Sequence, residues 1–295
     1  MITTGNWSEA LEPIARKNHD IGFEGVPAEK DMLYKVRTSK KLVETYLEIG
    51  DISSMGRFNG TVNYADVSQG YKFTVTAVQY AQGIKIQRSF VDTDQLDVVE
   101  GLPKKLGVSG RRRLATDIFF PLNNAFNTSI TTLDALQLCS AAHTSNNGGS
   151  NQSNRGTTAL SAVAVEATRI LMRKFLTNTD QRFNCNPDTL IVPDDLWEPA
   201  YEIISSSGKV DTANNNVNFS KGKYNLLKSI WLSDSNNWFM VDSKLMKEYM
   251  EWNDIVTPEF NRATDFDGLV AKYSTYMHYS YVPRDWRFIF GHEVS

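Results

Sequence analysis

The side chains closest to a catalytic arrangement are Cys139 and His143, four residues apart and followed by Ser145. On a helix that spacing would put thiol and imidazole on one face, the pairing a cysteine nucleophile uses. The surrounding sequence argues for another role. Cys139 sits in ALQLCSAAH, where a reduced cysteine packs as a small apolar residue, and His143 opens a polar loop whose backbone its ring can bond. Both are read as structural. Asp194-Asp195 offers two carboxylates to a cation, but Asp195 followed by Glu198 is also the capping-box pattern of a helix start. Asp265 and Asp267 read as loop acids. The sequence contains no Gly-rich phosphate loop, no Gly-x-Ser-x-Gly elbow and no His-Glu-x-x-His zinc helix. Cys139 and Cys185 stand apart, too few for a structural zinc site. No catalytic, cofactor-binding or metal-ligating residue is expected, so the chain is read as a non-enzyme.

Composition narrows the class further. The chain has 295 residues, with 31 Lys and Arg against 34 Asp and Glu, and a formal charge of −3. That balance excludes the strongly basic profile of a dedicated nucleic-acid reader. With 15 Phe, 12 Tyr and 6 Trp it is too aromatic to remain a solvated polymer. Two cysteines cannot build a disulfide framework. No run approaches the roughly 18 consecutive apolar residues of a membrane helix. The start, MITTGNWSEALEPIARKN, lacks the basic and apolar regions of a secretory signal. A soluble protein made inside the cell is expected.

The elements that would position these residues follow from periodicity. In 1–55, Ser8 is placed to cap a short helix through Ala15, and Leu42, Val43, Tyr46 and Leu47 share helical spacing over 40–49. Neither piece is a domain, and the arm needs something to lie against. In 70–80, Tyr71, Phe73, Val75 and Ala77 alternate with polar residues; Ile84, Ile86 and Phe90 do so in 83–90. With Gln82-Gly83 between them, these read as a hairpin, and 61–67 as a third strand. Such a ribbon is marginal by itself and needs a partner surface. From 102 to 126, Leu102, Leu106, Gly110, Leu114, Ile118, Leu122 and Phe126 recur every fourth residue, a helical face broken by Pro103 and Pro121 into two helices or a kinked one. Arg111, Arg112 and Arg113 read as a solvated face. After a Ser/Asn/Gly loop at 143–158 comes a helix from Ser161 with Val163, Ala167, Ile170, Leu171 and Phe175 as its apolar face. Thr189–Val192 is a short buried strand, 196–206 a helix, 226–232 and 238–241 strands, and the aromatic tail forms long terminal strands. The class is α+β.

The stretch 133–242 resembles the major capsid proteins of tailed bacteriophages, the Hong Kong 97 fold, and in particular the Mu-like head-subunit branch. The pieces are LQLCSAAH (136–143), a Gly/Asn loop, ALSAVAVEA (159–167), NPDTLIVPDDLWEPAYEIISS (186–206), the asparagine run 214–218 and SDSNNWFMVDS (233–243). Their order and spacing, rather than any one piece, carry the resemblance.

The resemblance implies an N-terminal arm over 1–55, an extended loop over 56–91, a peripheral domain from 92–134 and 243–295, and an axial domain over 135–242. It implies a subunit that self-assembles, as hexamers and pentamers, into the icosahedral head shell around phage double-stranded DNA. It also implies assembly in the host bacterial cytoplasm with a separate scaffolding protein, a portal and, in some relatives, decoration proteins. No membrane and no cofactor are implied. Near-neutral charge lets packaged DNA pass the wall without tight binding. The expected assembly residues are Tyr71, Phe73, Val75, Ile84 and Ile86 on the hairpin, with Arg111, Arg112 and Arg113. Some relatives join subunits through a lysine–asparagine bond; Lys72 and Lys85 lie in the hairpin, but no matching motif surrounds them. An encapsulin-type compartment, a tail or head-completion protein, and a cysteine hydrolase using Cys139 and His143 are the competing readings.

Overall fold

The computed structural model describes residues 7–25, 29–52, 54–62, 64, 69–93, 95–145, 149–208, 217–265 and 267–295. The strand expected at 61–67 and the asparagine run 214–218 fall largely outside them. From the N-terminus, α1 (Trp7–Glu24) and the single turn α2 (Lys30–Leu33) lead to β1 (Lys35–Thr38), β2 (Val43–Ile49), β3 (Gln69–Thr76) and β4 (Val78–Gln87). Helices α3 (Arg88–Asp92) and α4 (Leu96–Asn123) follow, and the next strand is β5 (Arg155–Gly156). Beyond it helix and strand alternate as α5 (Ala162–Met172), β6 (Thr189–Pro193), α6 (Trp197–Ser205), β7 (Asn225–Ser229), β8 (Trp238–Val241) and α7 (Ser243–Tyr249). The chain ends on β9 (Met250–Asp265), β10 (Val270–Pro283) and β11 (Ile289–His292).

The described residues form three sheets, in the orders β1-β9-β10-β4, β5-β11-β8-β6-β7 and β2-β3. Alternation in β6 and β8 sends Leu190, Val192, Trp238 and Met240 to one face of the five-stranded sheet, where α5 and α6 cover them. Ile191, Phe239 and Val241 point to the other face, against Leu114, Ile118, Phe119 and Leu122 of α4 and Trp252 and Tyr279 of the long strands. The four-residue apolar repeat of α4 is the core face expected. Its 28 residues span roughly 42 Å and link this core to a third cluster, where Val99 and Leu106 meet Trp7, Leu11 and Ala15 of α1. The two helices approach closely enough that a methyl on Gly22 would collide with the Lys104 carbonyl, and one on Gly107 with the His19 carbonyl. Only glycine fits at those crossings.

Several expectations are corrected. The N-terminal helix runs from Trp7 to Glu24, through Pro13 and well past Ala15, because Trp7, Leu11, Ala15 and Gly22 supply one long buried face. It lies on α4 of its own chain, so that part of the arm is not an orphan. Residues 43–49 are a strand: Val43, Thr45 and Ile49 are β-branched, and β3 offers a partner that local spacing cannot reveal. Both prolines sit inside one continuous α4, Pro121 in its last turn. The 70–80 and 83–90 runs do not pair with each other. Strand β3 pairs with β2, the chain crosses at Ala77, and β4 runs unbroken through Gln82-Gly83 against β10, Gly83 opposite Ser274. Gly83 there marks a close approach to the Tyr273 carbonyl, 3.1 Å from where a Cβ would be, not a turn. The capping box at Asp195 does not form. Asp194–Leu196 makes a 3-10 turn, and α6 begins after Leu196 without a side-chain cap. On α5 the expected face is largely inverted: Ala164, Val165, Thr168 and Met172 are buried, while Val163, Ile170 and Leu171 face solvent; Phe175, just beyond the helix, is buried as expected.

Candidate assembly surfaces

The β2–β3 ribbon is a two-stranded antiparallel element with register Glu44↔Val75, Tyr46↔Phe73 and Leu47↔Lys72. Its two sides differ. Glu44, Tyr46, Tyr71, Phe73 and Val75 are half-buried, and that side is tied to the chain's own body. Asn253 Nδ2 donates to the Tyr46 hydroxyl (2.7 Å), Asn178 Nδ2 donates to Glu48 Oε1 (2.6 Å), and Tyr71 and Thr144 exchange a hydroxyl hydrogen bond (3.2 Å). The Arg284 guanidinium lies over the Tyr46 ring. Burial pushes the Tyr46 phenol up to about 12. Between ribbon base and body runs a cleft of about 560 Å³ with Tyr46, Glu48, Tyr71, Asp134 and Arg284 among its walls. The opposite side carries Val43, Thr45 and Leu47, all exposed, and the connection beyond it adds exposed Ile52, Met55, Phe58, Val62 and Tyr64.

The expected assembly residues therefore separate. Tyr71, Phe73 and Val75 share the inward side of the ribbon. Ile86 is wholly enclosed in the third core cluster and Ile84 packs against it, so both belong to the subunit's interior rather than to a free hairpin face. That is a correction, and its cause is the pairing of β4 with β10. Arg111 is half-buried over the Phe23 ring at 5.0 Å, and burial lowers its pKa. Arg112 is exposed. Arg113 bridges both carboxylate oxygens of Asp117, at 3.1 and 2.6 Å, and reaches the Tyr80 hydroxyl at 2.9 Å. Asp117 is fully buried and also accepts from the Tyr279 hydroxyl at 2.7 Å. Arg112 and Arg113 are thus exposed, as expected of a solvated face, while Arg111 and Arg113 also lie over ring faces, of Phe23 and Tyr80.

Cys139 and His143 lie in an irregular segment, so their spacing puts them on no common helical face. Burial pushes the Cys139 thiol well up, leaving negligible thiolate at neutral pH. His143 is buried flat on Trp286, ring centroids 4.2 Å apart, with Nδ1 on Asp134 Oδ2 (2.6 Å) and Nε2 on Asn154 Oδ1 (3.0 Å). Asn154 is fixed in turn, its Nδ2 donating to the Leu138 and Ile289 carbonyls while its Oδ1 also accepts from Ser140 N–H. Asp134 is held below the usual carboxylate range. Burial opposes ionisation there, and hydrogen bonds from His143, Thr132 and Leu136 overcome it. These groups staple residues 134–143 and Asn154 to Trp286 and to the start of β11. Among the described residues no cluster of three His, Cys, Asp or Glu is placed to hold a metal, and no helix is long and apolar enough to cross a membrane.

Sequence reasoning missed the outward face of β2 and the exposed flank of α5. Alternation in VETYLEI held the signal for the first. Apolar residues on both flanks of α5 held it for the second.

This arrangement of a long spine helix, a two-stranded arm and a helix-covered sheet is the Hong Kong 97 capsid fold. The phage capsid protein family model matches residues 70–291, and the chain belongs to that family. Among solved structures it is similar to the capsid of bacteriophage JBD30, with TM-score 0.60 and 14% identity over 70% of this chain and 92% of that one. It is also similar to the capsid of cyanophage P-SCSP1u, with TM-score 0.58 and 10% identity over 90% and 87%. A virus-like particle from Pyrococcus furiosus shares the fold at TM-score 0.55 and 8% identity over 97% and 98%. No curated protein matches the sequence.

Proposed function

We infer that this chain is the major capsid subunit of a tailed phage, many copies of which close into the head shell as hexamers and pentamers. Its family membership carries the reading. The exposed apolar side of the β2–β3 ribbon supports it, because a free monomer gains nothing from Val43, Leu47, Met55 and Phe58 in water. In this reading the ribbon and the described residues of its connection lie over an adjacent subunit. That places the extended loop somewhat N-terminal to the 56–91 span expected from sequence. Residues 92–134 and 243–295 serve as the peripheral domain and 135–242 as the axial domain. Permanent interfaces commonly total roughly 2,000 to 5,000 Å², so affinity spreads over many modest contacts. Packaged double-stranded DNA is met non-specifically. A scaffolding protein, a portal and assembly in the bacterial cytoplasm belong to the same reading, as does the narrower likeness to the Mu-like branch. No residue is assigned a catalytic role.

The test is expression with and without the scaffolding protein of the same genome, followed by light scattering and electron microscopy. Capsomers or closed particles are expected. A chain that stays monomeric under all such conditions overturns the reading. Particles that hold a cargo protein and never DNA would assign the compartment alternative instead.

A further inference from the structure

Helix α5 is apolar on two flanks. Ala164, Val165 and Met172 are buried against the sheet, yet Val163, Ala167, Ile170 and Leu171 continue at helical spacing on the outer side. Val163 is 64% exposed, Ile170 42% and Leu171 46%. A helix so patterned is built to be covered twice. The outer flank ends in cations: Arg169, Arg173 and Lys174, with Glu166 paired to Arg169 at 2.5 Å.

Helix α6 lies on the same face of the same sheet but over the other half. It covers β6 and β7 where α5 covers β8 and β11. Its outer flank is aromatic and acidic. Trp197 and Tyr201 stack on each other with centroids 5.5 Å apart, and they are 39% and 52% exposed. Asp194, Asp195, Glu198 and Glu202 surround them, all exposed. Lys228 sits among them, over the Trp197 ring at 4.7 Å and 3.4 Å from Asp194.

We propose that the α5 flank of one copy docks on the α6 flank of the next, a head-to-tail contact that closes the axial domains into rings. The occupant of each surface is therefore a second copy of this chain, and the inference rests on the shell reading above. The two surfaces differ and complement each other. Aliphatic residues with a basic end meet aromatic residues with an acidic rim. A contact between unlike patches at opposite halves of one sheet is heterologous, and heterologous contacts generate rings when the rotation closes. A pairing of like with like would set four carboxylates against four, which electrostatics opposes.

Charge reversal tests the pairing with the full chain and its scaffold. A chain carrying R173E and K174E, and another carrying E198K and E202K, should each give about tenfold fewer particles than wild type, because like charges then face each other across the contact. One chain carrying all four changes should recover the wild-type yield. Wild-type yield from either two-residue variant, or no recovery in the four-residue variant, overturns the pairing. Arg173 also donates to the Cys185 carbonyl, so a second measurement leaves the charges in place. Ala167→Cys and Tyr201→Cys are introduced together into the wild-type chain, and assembled particles are treated with a bismaleimide. Native Cys139 and Cys185 are buried. Covalent ladders extending to pentamers and hexamers are expected from the double variant and not from either single one. Dimers from a single variant, or no ladder from intact particles, overturn the contact while leaving the shell reading in place. A wild-type chain that forms no particles overturns both.

Discussion

The α1–α4–long-strand body and the two-stranded β2–β3 ribbon are held in different ways. In the body, Trp252 stacks on Tyr279 and Tyr281, glycines let α1 and α4 touch backbone to backbone, and the one carboxylate of α4's buried face, Asp117, has Arg113 and Tyr279 as partners. Among its described residues the ribbon has no enclosed core. Its inward side is half-buried and pinned by a few polar contacts, and its outward side offers Val43 and Leu47 to solvent. A substitution in the body should therefore be felt by the lone subunit, and one on the outer ribbon only by the assembly. The difference teaches where a subunit stores its own stability and where it keeps surface for others.

Asp117→Ala should show the largest loss within the subunit. It leaves the buried Tyr279 hydroxyl without its acceptor and removes the buried partner of a partly exposed Arg113, a change that costs roughly 3 kcal/mol. Urea unfolding of the unassembled subunit measures it. A loss below about 1 kcal/mol, the ordinary worth of an exposed pair, would show that the site is wetter than its burial implies.

Acid should come next, through His292. The ring is buried flat on Trp238, with centroids 4.1 Å apart. Nδ1 accepts from Thr158 N–H, and Nε2 meets the Thr168 hydroxyl, whose own proton goes to the Ala164 carbonyl. The neutral ring satisfies every partner, and burial lowers its pKa from 6.5 to about 4. The unfolded chain thus takes up a proton first as pH falls. Stability from this group is complete above pH 6.5 and is lost as pH drops toward 4. The total is on the order of 3 kcal/mol. Unfolding midpoints across that window should fall in wild type and lie nearly flat in His292→Gln. Asp134, also held down in the fold, adds its loss only below its ordinary carboxylate range.

Gly107→Ala should cost less, roughly 1–3 kcal/mol, the usual range for forcing a methylene into a packed contact. The new methyl meets the His19 carbonyl, backbone that cannot swing aside. Gly101, on the same helix with open space around it, is the control and should tolerate alanine.

The parts legible in the sequence were those decided locally. The four-residue repeat of α4 and the uninterrupted apolar run of β6 each pointed to one burial pattern, and the fold uses it. What sequence could not supply was partner choice. Tyr71, Phe73 and Val75 alternate just as Ile84 and Ile86 do, and nothing in either run says that the first pairs with β2 and the second with β10. Gln82-Gly83 had turn chemistry but lies mid-strand, because the β10 pairing continues on both sides of it. On α5, the more apolar flank is the outer one, since Thr168 can go inside with its hydroxyl satisfied by Ala164 and His292. A periodicity argument assigns the greasier side to the core, and it fails wherever that side is reserved for another copy.

The smallest expected effect on the subunit is the one that bears most directly on the ribbon. Val43→Ser with Leu47→Ser changes two exposed side chains on the outward face, away from the Asn253 and Asn178 contacts that hold the inward one. Surface substitutions of this kind usually move stability by no more than about 0.5 kcal/mol, so the unfolding curve of the unassembled subunit should overlay wild type. Assembly is another matter. Each apolar side chain that a neighbour covers contributes roughly 25 cal/mol per Å² of area removed from water, and the ribbon recurs in every copy of a closed shell. Particle yield with scaffold present should therefore drop while subunit stability holds. If the yield is unchanged, the outward face is solvent in the shell as well. If subunit stability falls by more than about 1 kcal/mol, the ribbon belongs energetically to its own body and the contrast between the two regions dissolves.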